Sequence, residues 1–534
     1  MQAHLDGEVT TAPDVLEYFS NDASIFKVKP QVAVYPRSTN DVRKVARFAW
    51  QLAEKGSSIS ITPRGSGADF SGGAIGDGII LVFPAHLNKL LELDRNNTIT
   101  IQPGINFAKL EQTLHTHGRT IPLKLAASEY TTIGGLVAGN GSGDGSIKYG
   151  QALNFVKSLT VVLANGELVR TRRLSKRELK KKIESKTFEG EIYQKLNELI
   201  THNSKQIEKL KKSTKNVSGY NLADVKKRDG SFDLTPLIVG SQGTLGIISQ
   251  VKMVSKAHNP KTSLMAIHYQ TFEAAYKDAK KISALKPSIL DFIDEKLLEL
   301  VNNSNPQLLK EIVNSKTTNT VLIVEIDDTS TRTQKRKIKQ LKKIINDSAV
   351  EYHITSDEQI KEQIWKIRDS VSSVLWQSNG KLKAVPVIDD AVVPFEKVPV
   401  LIKLARELFS RRGIQAAMWG HLGEGHIHVR PFFDLSNATD RQQMVKLADT
   451  YYAVVTQLGG SISGSYNDGR ARAPYLEMQF GLDGLELFKQ VKNIFDPLGF
   501  LNPGVKINVS KTQQLSQIRN DYSLKHFYDY LPRS

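Results

Sequence analysis

Short runs of apolar, β-branched residues alternate from residue 31 onward with stretches whose apolar positions recur at helical spacing. VAVYP (32–36), SISITP (58–63), IILVFP (79–84), TITIQP (98–103) and LTVVLANG (159–166) read as strands, the last closing on an Asn165-Gly166 hairpin turn. A helix capped near Thr39 to Asp41 separates the first two, so the order predicts an α/β region whose loops bind a ligand. A lysine-rich helical excursion follows over 174–215. After about residue 259 the texture changes: SLMAIHY (263–269), a helix over 272–282, ILDFID (289–294), TVLIVEID (320–327) and a helix over 331–345 give a β-α-β-β-α-β-like alternation.

The glycines add chemistry to this frame. PRGSGADFSGGAIGDG (63–78) holds six glycines in sixteen residues, which suits a loop whose backbone touches phosphate, because glycine permits close approach and consecutive N–H groups form anion-binding concavities. It is neither a Walker A loop nor a clean G-x-G-x-x-G opening a helix, and taken alone it reads equally as a surface hairpin. A second cluster, TIGGLVAGNGSGDGSIKYG (132–150), and a third, VGSQGTLGIIS (239–249), change the balance: separated glycine loops in one region suggest two walls of one extended cofactor site.

Together the three clusters resemble the FAD-binding domain of the vanillyl-alcohol oxidase / para-cresol methylhydroxylase (PCMH) superfamily, in the branch of D-lactate and D-2-hydroxyglutarate dehydrogenases and the glycolate oxidase FAD subunit. The matching residues are Arg64, Gly65, Gly67, Ser71 and Gly72; Ile133, Gly134, Gly135 and Asn140; and Gly240, Ser241, Gly243, Thr244 and Gly246. KNVSGYNL (215–222) and FDPLGFLNPGVKI (495–507) match further motifs, so the resemblance spans 32–507, with an unmatched tail in which 521–533 reads as a docking helix. It implies an α+β fold: a PCMH-type FAD-binding domain of two α/β subdomains (1–259), a ferredoxin-like antiparallel-sheet cap with helices on one face that takes the substrate (260–475), and a C-terminal helical segment returning to the FAD domain (476–534). The implied FAD contacts are Pro63, Arg64, Gly65, Ser66, Gly67, Ala68, Asp69, Ser71 and Gly72 from the first loop, and Gly243, Gly246, Ile247 and Asn502 from later segments. Ser128, Thr132, Ile133, Gly134, Gly135, Ala138, Asn140, Gly141, Ser142, Gly145 and Tyr149 complete the set around the second loop.

Composition narrows the setting. The 534 residues exceed the size of one core, and 40% apolar with 24% charged residues is the balance of a soluble globular protein. There is no run of eighteen apolar residues and no signal-like start, so the expectation is a cytoplasmic protein that does not span a membrane. The absence of cysteine excludes disulfides, thiolate nucleophiles, cysteinyl flavin links and cysteine-ligated clusters from this chain; the electron acceptor is then on another protein, or is a quinone or oxygen. A net charge of +17 is concentrated in RTRRLSKRELKKK (170–182) and KRKIKQLKK (335–343), whose spaced leucine and isoleucine mark solvated helix faces. Those patches leave room for peripheral membrane contact, whereas no motif points to dedicated nucleic-acid binding.

For oxidation of a 2-hydroxy acid by flavin, the protein must supply a carboxylate clamp and a base. The resemblance assigns the clamp to Arg368 and Lys383, with Ser372 at a substrate-contacting threonine position; taken alone, Arg368 reads as a helix-surface ion pair. In GHLGEGHIHVRP (420–431), His421 and His428 match two family ligands for a divalent metal such as zinc or manganese, while Glu424 and His426 replace Asp and Asn and Arg430 stands at a substrate position. In GGSISGSYNDGRARAPYL (459–476), Ser465 and Tyr466 stand where the family has the acidic third ligand and the histidine base, which leaves the metal site two imidazoles and Glu424. Tyr466 then either acts as the base, its pKa lowered by Arg430 and Arg470, or fills the space of the lost histidine, with His426 or His428 taking the proton. Three functions are carried forward: an FAD-dependent 2-hydroxyacid dehydrogenase, a metal-independent flavin oxidase of a different alcohol or acid, and a non-catalytic FAD-binding subunit.

Overall fold

In the computed structural model, residues 2–304, 318–365, 368 and 380–524 are described. The first apolar runs form a four-stranded sheet in the order Glu8–Thr10, Val32–Tyr35, Ile79–Val82, Ile61–Arg64, of which the last three are parallel. Helix Thr39–Glu54 is started by Ser38, whose hydroxyl accepts from the Asp41 N–H, and its Val42, Val45, Ala46 and Ala49 pack on Val34, Ile61 and Leu81. The next strands make a five-stranded antiparallel sheet: Leu90–Leu93, Thr98–Ile101, Ile247–Val254, Val156–Val162, Leu168–Arg170. Gly166 supplies the positive φ of 84° that the hairpin between the last two requires. The lysine-rich excursion is helical over Lys176–Ile183, Phe188–His202 and Ser204–Lys209, and its Leu196 and Leu199 share a core with Leu487 and Val491 of the late helix Leu476–Phe495.

The third sheet has the order Glu351–Thr355, Ser263–Tyr269, Thr320–Ile326, Ile289–Asp294, Ala416–His421, His426–Phe433, Lys383–Ala384, with Ala391–Val392 also paired to the His426–Phe433 strand. Its first four members run antiparallel in the order fourth, first, third, second, which is the β-α-β-β-α-β unit. Helices Phe272–Ser283 and Thr331–Ile345 cover one face. The expectation of a single covered face does not hold: helix Glu295–Ser304 buries Leu297, Leu298 and Val301 against Leu264, Ala266 and Ile323 on the other. Each of those side chains contributes about 1.5–3 kcal/mol, which is why Ser263–Tyr269 is apolar on both faces instead of alternating.

A short helix, Lys511–Ser516, opens the tail; of the expected docking helix over 521–533 only 521–524 are described and are not helical, with Tyr522 and Leu524 buried, like Ile518, in the cap core, and 525–534 lie outside the described residues. The two basic runs fall on helices that bury Leu179 and Leu341 and leave most lysines in water. Among the described residues no helix is long and apolar enough to cross a membrane.

Candidate active site

A cleft of about 1640 Å³, mouth included, is bounded by the glycine loops on one side and the third sheet on the other. Strand Ile61–Arg64 delivers the first loop into it. The backbone N–H groups of residues 65–68 find no acceptor among the described residues, whereas Asp69 holds the loop from behind by accepting from the Ser71 and Gly73 N–H groups, both at 2.7 Å. Arg64 lies beneath: its Nη1 donates to the Asn21 and Ala74 carbonyls, while its Nε and Nη2 have no partner. Gly67 has a φ of 81°, and a Cβ there would sit 2.2 Å from the Arg64 guanidinium. The facing wall is helix Ile133–Gly139, started by the Thr132 hydroxyl; beyond it Ser142 Oγ is buried without a partner. Unpaired N–H groups in a row, buried unpaired donors and glycines that let backbone close in are what a pyrophosphate needs, so these residues fit FAD.

The opposite end of the cleft is built of charges. Strands Ala416–His421 and His426–Phe433 are antiparallel neighbours, which sets His421 opposite His426 and puts His428 on the same face as His426. Each imidazole gives one ring nitrogen to a buried carboxylate: His421 Nδ1 to Asp291 (3.0 Å), His426 Nε2 to Asp390 (2.7 Å) and His428 Nδ1 to Asp389 (2.7 Å). Burial holds His421 and His426 down at about 3, so both rings are neutral. Burial would raise Asp389, but Arg430 and His428 outweigh it and hold its carboxyl at about 2. Asp390, driven well below the ordinary carboxyl range by His426 and Arg472 against its burial, also accepts from the Ser465 N–H and hydroxyl and from the Tyr466 N–H.

The two arginines here differ. Arg368 donates to Asp144 (2.8 Å) and Asp291 (3.3 Å), and even beside it burial pushes Asp291 up to about 6. Arg430 donates through Nε to Asp389 (2.6 Å) and lies 4.3 Å over the Phe70 ring, but its Nη1 is buried with no partner among the described residues. The expected lowering of Tyr466 is not found. Burial raises the phenol above its ordinary value and Asp389 adds to this, against Arg430; Arg470 is engaged instead by the Ile75 and Gly504 carbonyls. Glu424, expected near the metal ligands, is taken by Ser146 and by Lys215 at 3.0 Å.

Pro63, Arg64, Gly65, Ser66, Gly67, Ala68 and Asp69 line the cleft, as do Thr132, Gly134, Gly135, Ala138, Gly141, Ser142, Gly243 and Gly246. Arg368, His421, His428, Arg430, Ser465 and Tyr466 line its charged end. The other expected FAD contacts stand behind the wall. Asn502 braces the Gly73 and Gln242 carbonyls, Ser71 accepts from Gln242, and a Cβ on Gly72 or Gly145 would meet Phe26 or the Pro122 carbonyl. Asn140 bonds Gln151 and the Leu153 N–H, Tyr149 reaches Asp327 across to the cap, Ile133 and Ile247 are core, and Ser128 closes a turn on Leu125. Lys383, expected in the carboxylate clamp, pairs with Phe433 at the end of the sheet and does not line the cleft; Ser372 lies outside the described residues. Asp144, Asp291, Asp389 and Asp390 went unrecognised as site residues in the sequence, although Asp144 sits inside the second glycine cluster and Asp291 inside the strand ILDFID.

Comparison with known proteins agrees with this architecture. A model of the FAD binding domain matches residues 30–172, and one of the C-terminal domain of FAD linked oxidases matches 258–505. The chain thus carries an FAD binding domain followed by the C-terminal domain of the FAD linked oxidases. It is 28% identical to the D-2-hydroxyglutarate dehydrogenase of Pantoea ananatis, over 96% of this chain but only 51% of that protein; the chain spans about half the length of several such dehydrogenases that it matches. It is likewise 28% identical to glycolate oxidase subunit GlcD of Bacillus subtilis, over 91% of both chains. In fold it is similar to 4-ethylphenol oxidase from Gulosibacter chungangensis, with a TM-score of 0.67 at 12% identity over 94% of this chain and 95% of that one.

Proposed function

We propose that this protein oxidises a small 2-hydroxy acid of the D-lactate or D-2-hydroxyglutarate kind to the 2-oxo acid. The observation that carries the reading is Arg430 Nη1, a buried donor without a partner among the described residues, in a cleft whose other end fits FAD. A substrate carboxylate satisfies that donor through a charge-assisted bond, and the Phe70 face beneath the guanidinium fixes its plane. Arg368, already paired to Asp144 and Asp291, orients His421 through Asp291 and adds positive potential instead of a free fork. With the carboxylate on Arg430, the substrate hydroxyl falls among His421, His428 and Tyr466, and its proton is released to water, not to Tyr466, because that phenol is held protonated. FAD, when bound, supplies the acceptor for the hydride from the substrate carbon.

The names of relatives support the substrate class: D-2-hydroxyglutarate dehydrogenase, D-lactate dehydrogenase and glycolate oxidase subunit. Since these 534 residues hold no cysteine, a cysteine-ligated cluster that received the electrons would lie outside them. Anaerobic mixing of the FAD-loaded protein with D-lactate, D-2-hydroxyglutarate and glycolate tests the reading: bleaching of the oxidised-flavin band by at least one, with saturation, is expected. Flavin left oxidised by a full panel of 2-hydroxy acids would favour a non-catalytic FAD-binding subunit.

A further inference from the structure

The geometry points to a three-histidine metal centre in this chain, with His426 as third ligand in place of the acidic residue that the family carries at position 465. This rests on the same cleft as the proposed function and names the cation its charged end would hold. Three observations carry it. First, the imidazoles of His421, His426 and His428 are buried and clustered, with ring centroids 4.5–5.5 Å apart and one ligating atom of each within 4.8 Å of the others. Second, every ring has its other nitrogen fixed by a separate carboxylate, Asp291, Asp390 or Asp389. Such carboxylate–histidine pairs fix the tautomer that leaves a lone pair for a metal. Third, His426 Nδ1, on a fully buried side chain, has no hydrogen-bond partner among the described residues; an imidazole with one nitrogen bonded and the other orphaned asks for a Lewis acid.

The exchange of ligands is coherent. Ser465 donates to Asp390, the carboxylate that orients His426, so position 465 now serves the new ligand from behind. A second group of possible ligands, Asp144, Asp291 and His421, is already neutralised by the Arg368 guanidinium between its two carboxylates. Replacing a carboxylate by a third imidazole also changes which metal is preferred: three nitrogens suit zinc, whereas manganese favours oxygen ligands. Three histidine ligands would leave one coordination position of a tetrahedral ion for water or a substrate oxygen, as in catalytic zinc sites.

The test is equilibrium binding of Zn²⁺ and of Mn²⁺ to the FAD-loaded full chain after chelator dialysis, with FAD content measured on the same samples. One Zn²⁺ per chain is expected, with Mn²⁺ bound about 100-fold or more weakly. His426→Asn should lower zinc affinity at least about 100-fold and Asp390→Asn, a positioning variant, about 10–100-fold, both retaining FAD. X-ray absorption of the zinc-loaded parent should show three imidazole nitrogens, an observation that needs no variant to fold. Parent protein that takes up FAD but no stoichiometric zinc, or a His426→Asn protein that binds zinc like the parent, overturns the inference while leaving the proposed function standing. Failure of FAD uptake counts instead against the function.

Discussion

The two ends of the cleft solve opposite problems. At the glycine end the protein withholds hydrogen bonds: the N–H groups of 65–68, Ser142 Oγ and two nitrogens of Arg64 are left without partners among the described residues, and Asp69, Asn502 and Gln242 hold the backbone from behind. At the cap end it supplies most of them, so that Asp144, Asp291, Asp389 and Asp390 tie down two arginines and three histidines, and single atoms such as Arg430 Nη1 and His426 Nδ1 stay unsatisfied among the described residues. A cofactor binds where a whole surface lacks partners; a substrate is selected where one or two atoms do. Burial makes both arrangements costly on their own, because an unpaired buried polar group costs about 1–3 kcal/mol, and that cost is what a bound partner relieves.

The sharpest break of this comparison falls at Gly67. Its φ of 81° and the 2.2 Å approach of a Cβ to Arg64 mean that Gly67→Val must displace both the loop and a buried guanidinium. We expect purified Gly67→Val to be colourless and FAD titration to show at least about a 100-fold loss of affinity, with zinc uptake at the other end unchanged. FAD binding like the parent's would show that the 65–68 loop is not the cofactor wall.

The arginines offer the next test, since the resemblance gives the carboxylate clamp to Arg368 while the buried donor without a partner among the described residues is on Arg430. Arg368→Met leaves Asp144 and Asp291 buried without their counter-ion, and breaking such a pair costs about 3–5 kcal/mol, read as a lower denaturation midpoint. Arg430→Met removes the free donor. It should cost about 2–5 kcal/mol in kcat/KM for carboxylate substrates, read as lost saturation in flavin reduction with FAD content intact. If Arg368→Met kept full stability and lost only substrate binding, the roles would be reversed.

What the sequence disclosed follows the same division. The glycine wall was legible because it is local: residues 63–69 and 132–142 write their backbone requirements in consecutive letters, and the strands feeding them have clean apolar runs. Leu90–Leu93 was not legible, since an edge strand with a half-buried, exposed, exposed, half-buried pattern does not alternate. The cap end was half legible. The resemblance singled out Arg368, His421, His428 and Tyr466, but their carboxylates come from far along the chain, Asp291 lying 130 residues before His421, and no spacing announces a pairing made only by the fold. Lys383 shows the converse, a motif position that backbone pairing with Phe433 keeps off the cleft wall.

The smallest expected effect is at Tyr466, where the structure reverses the reasoning from sequence. Arginines nearby suggested a phenol made acidic enough to act as base. Instead the ring is packed edge-on to Phe70 at 5.2 Å and tilted against His428 at 5.5 Å, and the carboxylate of Asp389 opposes the pull of Arg430. Burial and that carboxylate both disfavour the phenolate, so the pKa moves up from 10 and the side chain stays neutral through any pH at which the protein functions. A neutral phenol can donate to a bound oxygen or fix the His428 plane, effects of about 0.5–1.5 kcal/mol. Tyr466→Phe should therefore slow flavin reduction by no more than about 10-fold, and its pH–rate profile between pH 6 and 10 should keep every ionisation of the parent. A 100-fold or greater loss, together with disappearance of an ionisation from the profile, would return Tyr466 to the role of base.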